Sequence, residues 1–469
     1  MDDFNGTMMK KTLSIIAMAT AMVFGLEAQE IGNEELVRIR ESFARTREDI
    51  ARMNAVSGNY DLKKLAIDRE RQGKTDHLFK YKVQVSGITD QQQSGRCWMF
   101  TSMNVLRPSV MEKFNIREFD FSHNYCYFWD MFEKSNLFLE NVISTAKKDI
   151  IMDRDVAFWF QNPVNDGGVW NSFYNVAEKY GVVPAEVMPE TAHSNRTSML
   201  TSFLNELLRK EGYALREMIA GGRSEKEARE YKIGSMEKVY RMLALCLGEP
   251  PVGFEWRYET RDGEIKSLDS TPLDFYRSII PENYGSDSYI MVMNDPTRPY
   301  YKVYEISNYR NTYEGVNWTY LNLPLDVIKA AAVKSIMNNE ALYASCDMSN
   351  FYNNDEGIAD PQMYDYEALF GMEFQMDDKK ARILTRESGS AHAMALIAVD
   401  TDEEGNTVKW QFENSWGADA GHNGYLTFSD KWFDDYMFRL VINSAYLDEK
   451  ALDAARNKPV LLPAWDYMF

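Results

Sequence analysis

The chain has 469 residues, 45% of them hydrophobic and 13% aromatic, enough apolar mass for a sizeable core and too much for a disordered chain. Its formal charge is −19, with an isoelectric point near 4.9, which excludes an electrostatic grip on nucleic acid or anionic lipid as its main activity. The four cysteines, at 97, 126, 246 and 346, are too far apart for a zinc ribbon or a CxxC redox pair.

In chain order, Lys10 and Lys11 precede an apolar run from Leu13 to Leu26, and Ala28 places a small residue before Gln29. The run is too short for a membrane span and reads as a signal peptide over residues 1–28, which predicts an exported, periplasmic or secreted protein with no membrane attachment after cleavage. Asp2 and Asp3 are unusual before such a leader and leave Met8 or Met9 open as the start. A helix follows, with Asn33 as N-cap, Glu34 and Glu35 in its first turn, and Leu36, Ile39, Phe43, Ile50 and Met53 at helical spacing. Ser94-Gly95 signals a turn, and a helix is expected from Cys97 to near Pro108. Residues from about 119 to 250 read as mostly helical, with a break at Gly221-Gly222. Past Pro250-Pro251 the pattern changes, and Tyr289–Met293, Ala341–Ser345, Ala393–Val399, Thr407–Phe412 and Gly424–Phe428 read as strands. A helical half thus precedes a strand-rich half in one α+β architecture, with no repeat, low-complexity linker or clean domain boundary. Cys126, Cys246 and Cys346 lie in apolar or aromatic runs and read as small buried residues.

Cys97 differs because it opens a helix. A thiol of ordinary pKa, ~8.5, is only slightly ionised at neutral pH, and the positive end of a helix dipole favours the thiolate. A histidine partner would favour it further. Of the five histidines, 77, 123 and 193 sit in polar, exposed-looking contexts and 422 in a glycine-flanked loop, whereas His392 opens the apolar strand Ala393–Val399 and is held rigidly there. Asn414 directly follows the next strand, so its side-chain carbonyl can orient the imidazole, and Trp416 can shield that bond from water. Gln91, six residues before Cys97, is a candidate side-chain donor to an oxyanion, beside the Cys97 N–H; Gln92 and Gln93 adjoin it and leave the register open.

The segments Gln91…Ser94-Gly95-Arg96-Cys97-Trp98 and Asn414-Ser415-Trp416-Gly417 resemble the papain superfamily. The 295 residues between Cys97 and His392 exceed the ~130–150 of papain-type enzymes, leaving roughly 150 extra residues. That insertion, with Asp166-Gly167-Gly168-Val169-Trp170, Leu245-Cys246-Leu247-Gly248-Glu249-Pro250-Pro251 and Leu462-Pro463-Ala464-Trp465-Asp466, resembles the bleomycin hydrolase and aminopeptidase C branch. The resemblance implies a papain-like α+β fold with large helical insertions, the helical half carrying the nucleophile and the strand-rich half the histidine and asparagine. It implies a cysteine aminopeptidase acting on peptides, with Cys97, His392, Asn414 and Gln91 as catalytic residues and no metal or organic cofactor. Asp166, Gly167, Gly168 and Trp416 are expected to line the substrate cleft. A homo-hexamer is implied too, as is a C-terminal tail lying in the cleft and anchoring the substrate's α-amino group through Phe469. The tail departs from the family pattern at Tyr467-Met468-Phe469, which leaves dipeptidyl- or endopeptidase activity as an alternative expectation. A catalytically silent scaffold on the same fold is a second one. The acidic composition favours N-terminal Arg or Lys in the substrate.

Overall fold

Residues 30–43, 45–85, 87–281, 284–285 and 288–468 are described by the computed structural model. The expected signal peptide over residues 1–28 and the tail residue Phe469 lie outside the described residues. The chain divides into two units, one of residues up to Ala66 with Tyr366–Met372, the other of Ile67–Asp365 with the residues from Glu373 onward. The sequence shows no boundary at Ala66, because the short segment completing the first unit is some three hundred residues away in the chain.

In the first unit the single helix expected after Asn33 is two helices, Asn33–Ser42 and Arg47–Ser57, and Gly32 rather than Asn33 is the N-cap. The break is made by Thr46. Its hydroxyl accepts from the Asp49 N–H while the Asp49 carboxylate accepts from the Thr46 N–H, a capping box that starts a helix afresh. A third helix, Leu62–Ala66, packs on Tyr366–Phe370.

The second unit carries the helix Cys97–Lys113, which begins where expected but continues through Pro108. Proline within a helix costs about 3 kcal/mol. The turn beyond it buries Val110 and Met111, and each such apolar side chain returns roughly 1.5–3 kcal/mol. The expected helical stretch is present as His123–Ser144, Arg154–Gln161, Trp170–Tyr180, Ser198–Ala220 and Glu225–Leu247. An antiparallel hairpin, Phe254–Glu259 with Ile265–Ser270, then follows where the sequence reading has no strand. His123 is buried, contrary to expectation. The Ser122 hydroxyl caps its helix, and the imidazole stacks on Phe100 with ring centroids 3.5 Å apart. All four cysteines are unpaired; Cys126 and Cys346 are buried as expected, but Cys246 is half-exposed.

The five expected strands appear within two residues of their predicted bounds, as Tyr289–Met293, Leu342–Cys346, His392–Thr401, Thr407–Glu413 and Tyr425–Ser429. Met437–Asn443 was not expected. It leaves the helix Asp430–Tyr436 without an intervening turn residue, so no glycine or proline marks its start. Apart from that hairpin, the described strands form a mixed twelve-stranded sheet, in which Met437–Asn443, Leu342–Cys346, His392–Thr401 and Thr407–Glu413 lie side by side and antiparallel. Alternate residues face opposite ways, as strand geometry requires. Tyr343 and Val441 join the core that contains Trp98 and the helical half, while Leu342, Ala344, Leu440 and Ile442 join a second core with the helix Leu325–Met337.

A buried polar network ties the Cys97 helix to the sheet. Arg107 donates to Glu413 Oε1 at 2.5 Å, to the Gly87 carbonyl and to Asn104 Oδ1, and Asn104 donates to the Thr89 hydroxyl. Both charged side chains are essentially inaccessible. Burial pushes the Glu413 carboxyl up to about 7, against the pull of Arg107. Breaking such a pair from one side leaves a charge buried alone, so Arg107→Met should lower the unfolding free energy by about 3–5 kcal/mol. Urea denaturation measures this; a loss below about 1 kcal/mol would mean that the pair contributes no more than a surface ion pair.

Candidate active site

Cys97 is the first residue of its helix, after a turn fixed by Arg96, which is fully buried and grips Glu190 through two hydrogen bonds of 3.1 and 3.0 Å. The backbone N–H groups of Ala393 and Trp98 lie near enough to the Cys97 sulfur to favour its thiolate. Ala393 is the neighbour of His392 at the opening of its strand, so the helix start and the strand start meet at the sulfur.

His392 is held from the side by the strand that follows its own. Ala395 faces Glu413 across the antiparallel pair, which sets the opening of one strand beside the end of the other. His392 Nε2 and Asn414 Oδ1 lie 2.8 Å apart. Asn414 Oδ1 also accepts the Ser415 N–H at 2.9 Å, which identifies that atom as the oxygen. Nε2 therefore carries the hydrogen, and Nδ1 is left as the base. The Trp416 ring stacks on the imidazole at 4.6 Å with 29° between planes.

Gln91 is the buried member of its run, whereas Gln92 and Gln93 are exposed. Its Oε1 accepts from the Ser415 hydroxyl at 2.7 Å, and its amide nitrogen gives one hydrogen to the Ser94 carbonyl at 2.6 Å. The second amide hydrogen remains available to an oxyanion. Ser415 is a functional residue that the sequence reading passed over, though it stands inside the quoted Asn-Ser-Trp-Gly segment. Two further bonds run between the same segments, Gln91 N–H to the Ser415 carbonyl at 2.8 Å and Gly417 N–H to the Thr89 carbonyl at 3.1 Å.

Asp166, Gly167 and Gly168 lie against both flanks of Cys97. Asp166 Oδ2 accepts the Gly95 N–H at 2.6 Å, and the Trp98 indole donates to the Asp166 carbonyl at 2.9 Å. Gly168 packs so closely on Trp98 that a Cβ there would stand 2.7 Å from the ring. Near the C-terminus, Trp465 is clamped between Arg154 and Asp155, Arg298 binds Asp466 at 2.5 Å, and Arg439 donates to the Met468 carbonyl at 2.9 Å. Among the described residues no group of three or more His, Cys, Asp and Glu is arranged to hold a metal ion.

Burial governs both reacting groups. It pushes the Cys97 thiol up to about 11, against the N–H groups of Ala393 and Trp98, and pushes His392 down to about 4, against the bond to Asn414. Each shift reflects the cost of a lone charge held largely away from water. A proton moved from sulfur to imidazole creates two opposite charges together, each removing the other's penalty. In Cys97→Ala that partner is gone, and burial should hold His392 near pH 4, below the 6.5 of an unperturbed imidazole. The unfolded chain then binds the extra proton between these values, so this group's contribution to stability is intact above pH 6.5 and is lost as pH falls toward 4. NMR titration of the imidazole protons measures it; a midpoint near 6.5 would rule out the burial effect.

A model of the Peptidase C1-like family matches residues 30–469. The bleomycin hydrolase of Rattus norvegicus is 36% identical over 422 residues, spanning 88% of this chain and 93% of that protein. The aminopeptidase C of Lactobacillus delbrueckii subsp. lactis is 38% identical over 399 residues, 84% of this chain and 88% of that protein. The crystal structure of PepW from Lactobacillus rhamnosis HN001 superposes with a TM-score of 0.90 and 34% identity, covering 94% of this chain and 99% of that one. With a cysteine at a helix start, an asparagine-held histidine on the sheet and these likenesses along its length, the chain belongs to the Peptidase C1-like family.

Proposed function

We propose that this protein is a cysteine aminopeptidase that removes N-terminal residues from peptides through a thioester acyl-enzyme. The observation that carries the reading is the joint placement of Cys97, His392 and Asn414 in a chain that matches proteins named aminopeptidase C and bleomycin hydrolase over more than four-fifths of its length. The Cys97 sulfur, its proton passed to His392 Nδ1, attacks the scissile carbonyl. The resulting oxyanion is met by the Cys97 N–H and the spare Gln91 amide hydrogen, with Ser415 fixing which way that amide faces. His392 then gives its proton to the leaving amine, which departs and leaves a thioester. Water attacks the thioester as His392 takes one of its protons, and the carboxylic acid leaves as the sulfur is regenerated. Asn414 holds the imidazole by Nε2, leaving Nδ1 as the base. Export by way of the Leu13–Leu26 leader and a hexameric assembly are part of the same proposal.

Digestion of a peptide library, read by mass spectrometry, should show stepwise loss of N-terminal residues, abolished in Cys97→Ala. Release of dipeptides or internal cleavage would instead favour the alternative peptidase activities, and no turnover the silent scaffold. Gln91→Ala should lower kcat by about 10²–10³. Ser415→Ala should lower it in the same sense but less, because the amide is freed to turn and not removed. Steady-state kinetics on an aminoacyl coumarin compares them, and a Ser415→Ala loss equal to that of Gln91→Ala would assign Ser415 a part of its own in the chemistry.

A further inference from the structure

We propose that Asp166 is the anion that reads positive charge on the substrate residue whose carbonyl Cys97 attacks. The inference rests on the active-site reading above and adds the group that recognises that residue.

Asp166 is fixed on both sides of the nucleophile. Its Oδ2 accepts the Gly95 N–H at 2.6 Å and the Thr197 hydroxyl at 2.5 Å, and its own carbonyl holds the Trp98 indole. Residues 95 and 98 bracket Cys97, so the carboxylate cannot drift relative to the sulfur. Its other oxygen, Oδ1, accepts no hydrogen bond from the described residues, and the side chain is partly open to solvent. Gly95 is what leaves Oδ1 uncovered, since a Cβ at that position would stand 2.5 Å from it. The nearby cations are committed elsewhere. Lys134 pairs with Asp130 at 2.7 Å and spends its other hydrogens on the Asn165 and Gly167 carbonyls, while Arg96 is held by Glu190. Asp166 forms no ion pair among the described residues.

An unpaired carboxylate next to a cysteine nucleophile acts against the thiolate, and the Asp166 charge does oppose ionisation of Cys97. A cationic nitrogen seated on Oδ1 would cancel that opposition as substrate binds. The N-terminal residue of a peptide can bring such a nitrogen from two sources, its α-ammonium or the side chain of Lys or Arg.

Asp166→Asn keeps an acceptor for the Gly95 N–H and removes the charge. Four aminoacyl coumarins separate the sources: Lys against its uncharged isostere norleucine, and Leu against N-acetyl-Leu. Loss of the charge should lower the kcat/KM ratio of the cationic member to its neutral partner by about 10- to 100-fold. A fall in the Lys to norleucine ratio assigns Oδ1 to the side chain; a fall in the Leu to N-acetyl-Leu ratio assigns it to the α-ammonium. Thr197→Val, which loosens Oδ2 and leaves the charge in place, should lower all four substrates by one common factor. If Asp166→Asn also lowers all four by a common factor, or lowers none, the proposal is overturned and Asp166 is a support for the loop alone. Alkylation of Cys97 by iodoacetamide keeps the underlying reading distinguishable. Wild type and Asp166→Asn should both be carbamidomethylated at Cys97, and a wild-type Cys97 that resists the reagent would overturn the nucleophile assignment and this proposal with it.

Discussion

The site depends on a short zipper between two segments more than three hundred residues apart in the chain. Residues 89–91 run alongside 415–417 through two backbone bonds, and the Ser415 hydroxyl adds a third to Gln91. One segment leads into the helix that presents Cys97; the other continues the strand that presents Asn414. Without that seam, Gln91 and the imidazole's anchor Asn414 would each be attached to a separate half of the molecule. The Arg107–Glu413 pair lies behind the seam and performs the same joining in the interior. Its stabilising value over an apolar replacement is small by general experience, and its specificity is the stronger reason for a buried ion pair here. It allows one register between the Cys97 helix and the strand ending at Glu413.

The electrostatics follow from the same construction. A site so enclosed penalises a lone thiolate and a lone imidazolium alike, and the opposite shifts of Cys97 and His392 express that penalty. Enclosure is also what makes Asn414 a better partner than a carboxylate would be. A neutral carbonyl orients the ring without adding a third charge that would need its own compensation. The helix start and the N–H groups of Ala393 and Trp98 supply positive potential that costs no reorganisation during the reaction.

Much of this was legible in the sequence because the chemistry is written in local words. Cys97 at a helix start, His392 at a strand mouth and Asn414 after a strand end each carry their own signal, and five strands could be read from apolar runs. What escaped were features that no local pattern encodes. The helix runs through Pro108 because tertiary burial of Val110 and Met111 outweighs the proline. His123 looks polar in sequence and is buried by a stacking partner, Phe100, that lies on another helix. The strand Met437–Asn443 has no turn residue to announce it, and the Arg107–Glu413 pair joins residues 306 positions apart. Ser415 was visible but mute, since its role appears only when Gln91 is seen beside it.

One feature of the fold has a consequence for how substrates enter. The same sheet supplies a wall to both cores, with Tyr343 and Val441 facing one and their neighbours facing the other. The helical half packs on that wall through the core that holds Trp98, Tyr343 and Val441, so parting the two would expose that core to water. The width of the cleft is therefore settled when the chain folds and not when a ligand arrives. Such an enzyme adapts little to its guests. The entropy of straightening a bound peptide then falls on the peptide and not on the protein.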